Sequence, residues 1–132
     1  NFILIRYAEV LLTYAEAQNE ASGPDQSVYD AINQLRRRPD INMPEVPKGL
    51  TKDQMREVIR RERRIELTFE GLYYSDILRW KTAEKENNGM MHNYDGIEVV
   101  KRSFNPKRDY LWPIPYNQTV LNPNLEQNPN WD

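Results

Sequence analysis

Glu62 and Glu66 lie four residues apart in the stretch from Thr51 to Trp80. On a helical wheel at roughly 100° per residue they fall inside the apolar arc formed by Met55, Val58, Ile59, Ile65 and Phe69. Residues at this spacing face the same way, with Cβ atoms about 6 Å apart. Paired carboxylates can run glycoside hydrolysis or ligate a metal. A glycosidase pair, however, normally comes from separate elements flanking a cleft. A carboxylate metal site would also want histidine nearby, and the only one, His92, lies in a glycine- and asparagine-rich loop. The pattern therefore predicts no catalytic residues, no metal and no cofactor. The favoured reading is a structural ion network, because buried charges persist only when paired. Its expected members are Glu62, Glu66, Arg63, Arg79 and Asp76, with Arg6, Arg36 and Arg38 also able to reach in through bidentate forks.

The arginine runs Arg36–Arg38 and Arg56–Arg64 invite a nucleic-acid reading, which requires a net basic face. Residues 52–70 carry six basic side chains (Lys52 and five arginines) against five acidic ones (Asp53, Glu57, Glu62, Glu66 and Glu70). That is a nearly neutral, salt-bridge-laced helix, and nucleic acid is not an expected partner. Tyr7, Tyr14, Tyr73 and Trp80 sit at core spacing. Tyr94 and His92, in the loop Asn87–Gly96 beside Asn93 and Asp95, are better placed to meet a ligand, although ordinary surface-loop chemistry accounts for them too. No serine or lysine nucleophile stands in a recognisable context, and no glycine-rich phosphate loop occurs. The sequon Asn117-Gln118-Thr119 is a three-residue match of low specificity.

These residues need a scaffold, and the periodicity predicts a mainly helical one. Over residues 3–21, Leu4, Tyr7, Ala8, Leu11, Leu12, Tyr14, Ala15 and Gln18 share one side, and Ser22-Gly23-Pro24 ends the helix. A second helix is expected from about Asp25 to Arg38, carrying Val28, Ala31, Ile32 and Leu35, with Pro39 stopping it. The two make a helical hairpin of tetratricopeptide-like type over residues 1–38. A proline-rich connector follows. Thr51 and Gln54 then read as a capping box opening a long helix, and an aromatic helix runs past Gly71 to about Glu86. Residues 87–132 read as loop-rich. Ile97–Phe104 and Arg108–Trp112 are expected to pair as a short β-hairpin across Asn105-Pro106-Lys107. The proline-rich tail is expected to wrap irregularly against the helical body through Trp112, Tyr116 and Trp131.

Composition narrows the possibilities further. At 132 residues the chain is expected to form one domain with a modest core. A net charge of −2 gives no steering towards nucleic acid or an anionic membrane. The lack of cysteine removes disulfides, thiolate catalysis and cysteine-ligated zinc. No apolar run is long enough to span a bilayer. Asn1-Phe2-Ile3-Leu4 reads as the start of a helix already under way, so a fragment of something longer is expected.

Four blocks, taken in order, are similar to one family. They are Arg6-Tyr7-Ala8-Glu9-Val10-Leu11-Leu12 with Tyr14-Ala15-Glu16-Ala17, and Ile32-Asn33-Gln34-Leu35-Arg36-Arg37-Arg38 leading into Met43-Pro44-Glu45-Val46-Pro47. Next come Ile59 to Leu67 with Phe69-Glu70-Gly71 and Asp76-Ile77-Leu78-Arg79-Trp80. The last is Tyr110-Leu111-Trp112-Pro113-Ile114-Pro115, then Leu121 to Leu125 and Gln127-Asn128-Pro129. Together they resemble the C-terminal region of the SusD/RagB family of outer-membrane nutrient-binding lipoproteins of Bacteroidetes, over nearly the whole chain except about residues 83–105. Two positions depart from the family pattern: Tyr73 stands where arginine is frequent, and Pro39 where alanine commonly follows the arginine run.

The resemblance implies a tetratricopeptide-like scaffold that binds rather than catalyses. It implies a cell-surface protein held in the outer membrane by an N-terminal lipid upstream of this segment. Its expected ligand is an oligosaccharide or other nutrient, and its expected partner a TonB-dependent, SusC-like transporter. This segment would be mainly scaffold and partner-facing helix. The alternatives are a tetratricopeptide-like adaptor for protein partners and a carboxylate-based glycoside hydrolase using Glu62 and Glu66.

Overall fold

The structure, a computed structural model, describes residues 4–131. Among these are six helices and one two-stranded antiparallel sheet: α1 (Tyr7–Ser22), α2 (Gln26–Arg36), α3 (Lys52–Glu66), α4 (Tyr73–Arg79), α5 (Ala83–Glu86), β1 (Gly89–His92), β2 (Glu98–Arg102) and α6 (Tyr116–Leu121). The mainly helical fold with a small β element is thus present. The expectation is one domain; the chain packs into two compact units, the first ending at Tyr73 and the second beginning at Tyr74.

In the first unit α1 packs against both α2 and α3. The α1–α2 hairpin turns at Gly23, whose left-handed backbone (φ 87°) lets its N–H reach Asn19 O. Asp25 then caps α2 by accepting from the N–H groups of Ser27 and Val28. The Thr51/Gln54 capping box opens α3 in both directions. One apolar cluster joins Ala15, Val28, Tyr29, Ala31, Ile32, Val46, Met55 and Ile59. A second joins Ala8, Leu12, Leu35 and Leu67. Two fully or nearly buried amides add polar stitching. Asn19 Nδ2 donates to Lys52 O (3.1 Å), and Asn33 Oδ1 accepts from Val46 N (2.9 Å). The connector is held by Tyr29 as well, whose hydroxyl accepts from Leu50 N.

Several core expectations are corrected. The expected first helix began at residue 3, but the described helix begins at Tyr7; residues 1–3 lie outside the described part. Tyr7 and Tyr14, expected in the core, are 64% and 47% exposed; the buried stripe of α1 is Ala8, Leu12, Ala15 and Asn19. Ile65 and Phe69 are exposed as well. On α3 the buried stripe centres on Met55, Ile59 and Glu62, and Ile65 points roughly 80–100° away. Phe69 lies past the helix end, in a turn where its own backbone is left-handed (φ 66°), so helical spacing no longer applies.

The second unit differs in character. The expected aromatic helix is broken in two: α4 ends at Arg79, Lys81 adopts φ 58°, and α5 follows. The expected hairpin is also re-paired. β2 lies within the expected strand Ile97–Phe104, but its partner is β1, with Gly89 opposite Arg102 and His92 opposite Glu98. The turn chemistry explains this. Asn93 Oδ1 accepts from the N–H groups of both Asp95 and Ile97, Asn93 N–H donates to Ile97 O, and Gly96 sits at φ 80°. Asn105-Pro106-Lys107 instead opens a helical turn: Asn105 Oδ1 accepts from Lys107 N, while Asp109 Oδ2 accepts from Asn105 N. Asn88 anchors the hairpin base, its amide accepting from Phe104 N and donating to Glu84 O and Phe104 O.

The tail is irregular apart from the short α6. Side-chain amides, not strand ladders, hold it. Gln127 pairs with both backbone groups of Ile114 (2.8 and 2.9 Å), Asn128 donates to Trp112 O, Asn130 to Lys107 O and the Trp131 indole to Leu111 O. Of the aromatics expected to seat the tail, Trp112 meets Tyr74 edge-on, whereas Tyr116 is 82% exposed.

Candidate functional site

The glutamates of α3 meet arginines that arrive from two other elements. Glu62 Oε1 accepts from Arg36 at the end of α2 (2.5 Å). Glu66 is gripped twice: Arg38 donates to both of its oxygens (2.9 and 2.7 Å), and Arg6, just before α1, donates to Oε1 (2.6 Å). Arg6 also donates to Glu66 O and, through Nε, to both oxygens of Glu70 (2.8 and 2.9 Å). Arg36 extends the lattice to the connector by donating to Pro44 O. One cluster of charge therefore ties the N-terminal end of α1, the C-terminal end of α2 and the last turn of α3 together.

Arg63, on the neighbouring face of α3, is 5% exposed; it donates to Thr13 Oγ1 (3.1 Å) and lies 3.7 Å from Glu16. Asp76 and Arg79 pair with each other in the second unit (2.8 Å), at i, i+3 spacing on α4. Glu70 is a member that helical spacing does not indicate, because it lies beyond the end of α3. Its signal is the acidic residue just before Gly71, on the turn that carries the chain back past Arg6.

The electrostatics run against acid catalysis. Burial pushes the Glu66 carboxyl up, but the hydrogen bonds and charges of Arg38 and Arg6 outweigh it and hold the group below the ordinary value of 4.5. The Arg6 guanidinium is raised, chiefly by Glu70 and then Glu66. A glycosidase general acid needs the opposite shift, with its proton held near neutral pH. Among the described residues no group of three histidine, cysteine or acidic side chains is placed to hold a metal.

His92 and Tyr94 lie together on the β1–β2 hairpin. His92 closes β1 and Tyr94 occupies the turn, 98% exposed. Both strands are exposed along their length, so the two residues project from a surface without walls.

A walled site does occur in the second unit. A cleft of about 130 Å³ is lined by Tyr74, Asn87, Ser103, Asp109, Trp112 and Trp131, with Phe104 and Leu111 completing it. Trp112 and Trp131, expected in the packing of the tail, line this cleft; their spacing across Asn- and Pro-rich chain has no period, so no sequence signal marks it.

The family model described as the SusD family matches residues 1–131. SusD-like protein P2 of Formosa agariphila is 37% identical over 97% of this chain and 25% of its own length. SusD-like protein P38 of the same organism is 31% identical over 97% and 24%. Among solved structures, a SusD-like protein from Bacteroides fragilis superposes with a TM-score of 0.82 at 31% identity, over 99% of this chain and 26% of that one. A SusD-like carbohydrate-binding protein from the same species superposes with a TM-score of 0.82 at 38% identity, over 92% and 28%. The chain spans about a quarter of the length of the curated relatives it matches. With the hairpin, the arginine-locked long helix and the tail all falling inside one whole-chain match, the chain belongs to the SusD/RagB family.

Proposed function

We propose that this chain is the scaffold and partner-facing segment of a surface nutrient-binding protein. In this reading the full protein captures an oligosaccharide and delivers it to a TonB-dependent, SusC-like transporter. It is held to the outer membrane by an N-terminal lipid; no helix among the described residues is long and apolar enough to cross a membrane. The whole-chain family match carries the reading, and a solved relative is itself named as carbohydrate-binding.

The site chemistry supports binding over turnover. Glu62 is engaged by Arg36, and Glu66 by Arg38 and Arg6, which hold the Glu66 carboxyl below its ordinary value; this suits a keystone between helices and not a proton donor. The segment is not an enzyme in this proposal, and Glu62, Glu66 and Arg63, with Asp76 and Arg79 on α4, serve structure.

The test uses the full-length protein. An oligosaccharide array and gentle solubilisation of outer membranes are the two measurements. Binding of a defined glycan class, together with co-purification of a transporter, is the expected result. Glycan hydrolysis that disappears in Glu66→Gln while the fold persists would overturn the assignment.

A further inference from the structure

The cleft of the second unit has features that the scaffold reading leaves unused. Trp112 and Tyr74 form a corner, ring centroids 6.1 Å apart and planes at 70°. Trp112 is 70% exposed, an expensive place for a large indole unless something covers its face. Its backbone is unusually well held for irregular chain. The carbonyls of Leu111 and Trp112 accept from the Trp131 indole and the Asn128 amide, and Gln127 grips Ile114 just beyond. Pro113 and Pro115 fix φ on either side. An aromatic platform pinned this way has little conformational freedom left to lose on binding.

The rest of the lining is polar. Asp109 is held charged by its bond from Arg108 and by the Asn105 N–H, and Asn87 and Ser103 stand beside it. A flat apolar face lining one cleft with a carboxylate, an amide and a hydroxyl suits a ring with one C–H face and a rim of hydroxyl groups. The volume, about 130 Å³, admits one such ring. An anionic ring would meet the Asp109 charge, and a purely apolar one would make no use of the polar rim of Asp109, Asn87 and Ser103.

We propose that this cleft is a subsite for a single neutral pyranose ring, stacked on Trp112 and hydrogen-bonded by Asp109, Asn87 and Ser103. The proposal rests on the glycan-capture reading and locates a piece of that capture within this segment.

The test titrates the full-length protein with the methyl pyranosides of glucose, galactose, mannose and xylose at millimolar concentrations. Saturation-transfer NMR and tryptophan fluorescence report binding. At least one pyranoside should bind, with C–H protons of one ring face saturated most strongly. Trp112→Ala should weaken that binding at least tenfold, and Asp109→Asn, whose side-chain oxygen still accepts from Asn105 N–H, should weaken it several-fold in a protein whose far-UV spectrum shows the fold kept. Equal affinity in wild type and both variants would overturn the subsite while leaving glycan capture elsewhere intact. No pyranoside signal from a wild-type protein that still binds oligosaccharides on an array would overturn it in the same way. Silence on both would overturn the subsite and the glycan reading together. Binding of a proline-rich peptide at Trp112, without pyranoside binding, would replace the sugar with a protein partner and overturn the assignment of ligand class.

Discussion

The two units hold themselves together by different means. The first buries an apolar core between three helices and then locks their ends with arginines and glutamates some 26 to 64 residues apart in sequence. The second buries Ile77, Ala83 and Phe104 and relies on asparagine, glutamine and tryptophan side chains that bond directly to backbone. A helical core gains from periodic apolar surface, whereas irregular chain must satisfy each backbone group singly. The first mode couples the helix ends to one another. The second fixes individual loops, which is what a site on irregular chain needs.

The largest blow to this contrast should come from Glu66→Ala. It takes the carboxylate from Arg38 and one of the two carboxylate partners from Arg6 at a part-buried site, and an expected loss of about 3 kcal/mol follows from breaking such a network. Denaturant unfolding measures it; an unchanged midpoint would mean the lattice is ornamental. Acid should act through the same group. Its folded value lies below the unfolded one, so the stabilisation is present above the ordinary 4.5 and fades as pH falls through the lowered value. Glu66→Gln should flatten that acid limb, and thermal melts across pH 2–6 would reveal it.

A smaller and more local effect is expected at Gln127→Ala. Losing both bonds to Ile114 should cost about 1–2 kcal/mol. Amide exchange should then quicken around residues 107–115 while α1, α2 and α3 keep their protection. Exchange that rises equally in α1 would erase the distinction between the units. Asp25→Ala removes the cap of α2 and should lower the unfolding midpoint modestly, read from the same denaturation curves. Tyr94→Ala should change stability by less than about 0.5 kcal/mol, since the side chain is 98% exposed.

The contrast also explains what could be read from the sequence. Val28, Ala31, Ile32 and Leu35 announced α2 by their spacing, and Thr51 with Gln54 announced the start of α3. The need of Glu62 and Glu66 for arginine partners followed from the cost of buried charge alone. Which arginine meets which glutamate did not, because that depends on how the helix ends are brought together. Tyr7 and Tyr14 lie more than about 100° around α1 from the stripe of Ala8, Leu12, Ala15 and Asn19, Ile65 sits well off the buried stripe of α3, and only Phe69 lies beyond a helix end, where a mean angle per residue stops describing the chain. In the second unit Asn93-Tyr94-Asp95-Gly96 carried a readable turn signal, yet Asn105-Pro106-Lys107 looked equally turn-like and drew the pairing to the wrong strand. The clamps of Gln127, Asn128 and Asn130 have no period at all. They become visible only when the backbone groups they satisfy are known.

Asn88 closes the base of the hairpin with three bonds and is followed directly by Gly89. Asparagine before glycine is the dipeptide most prone to lose its amide, because the unhindered glycine nitrogen can attack the side-chain carbonyl. Here that carbonyl is held on Phe104 N–H, so the folded loop shields the bond it depends on. Once opened, the same residue becomes a clock. Its aspartate product would set a negative charge against the Phe104 and Glu84 carbonyls, where a donor stood before. Loss of the Asn88 amide is therefore expected to be slow while the hairpin base stays closed and faster once it opens.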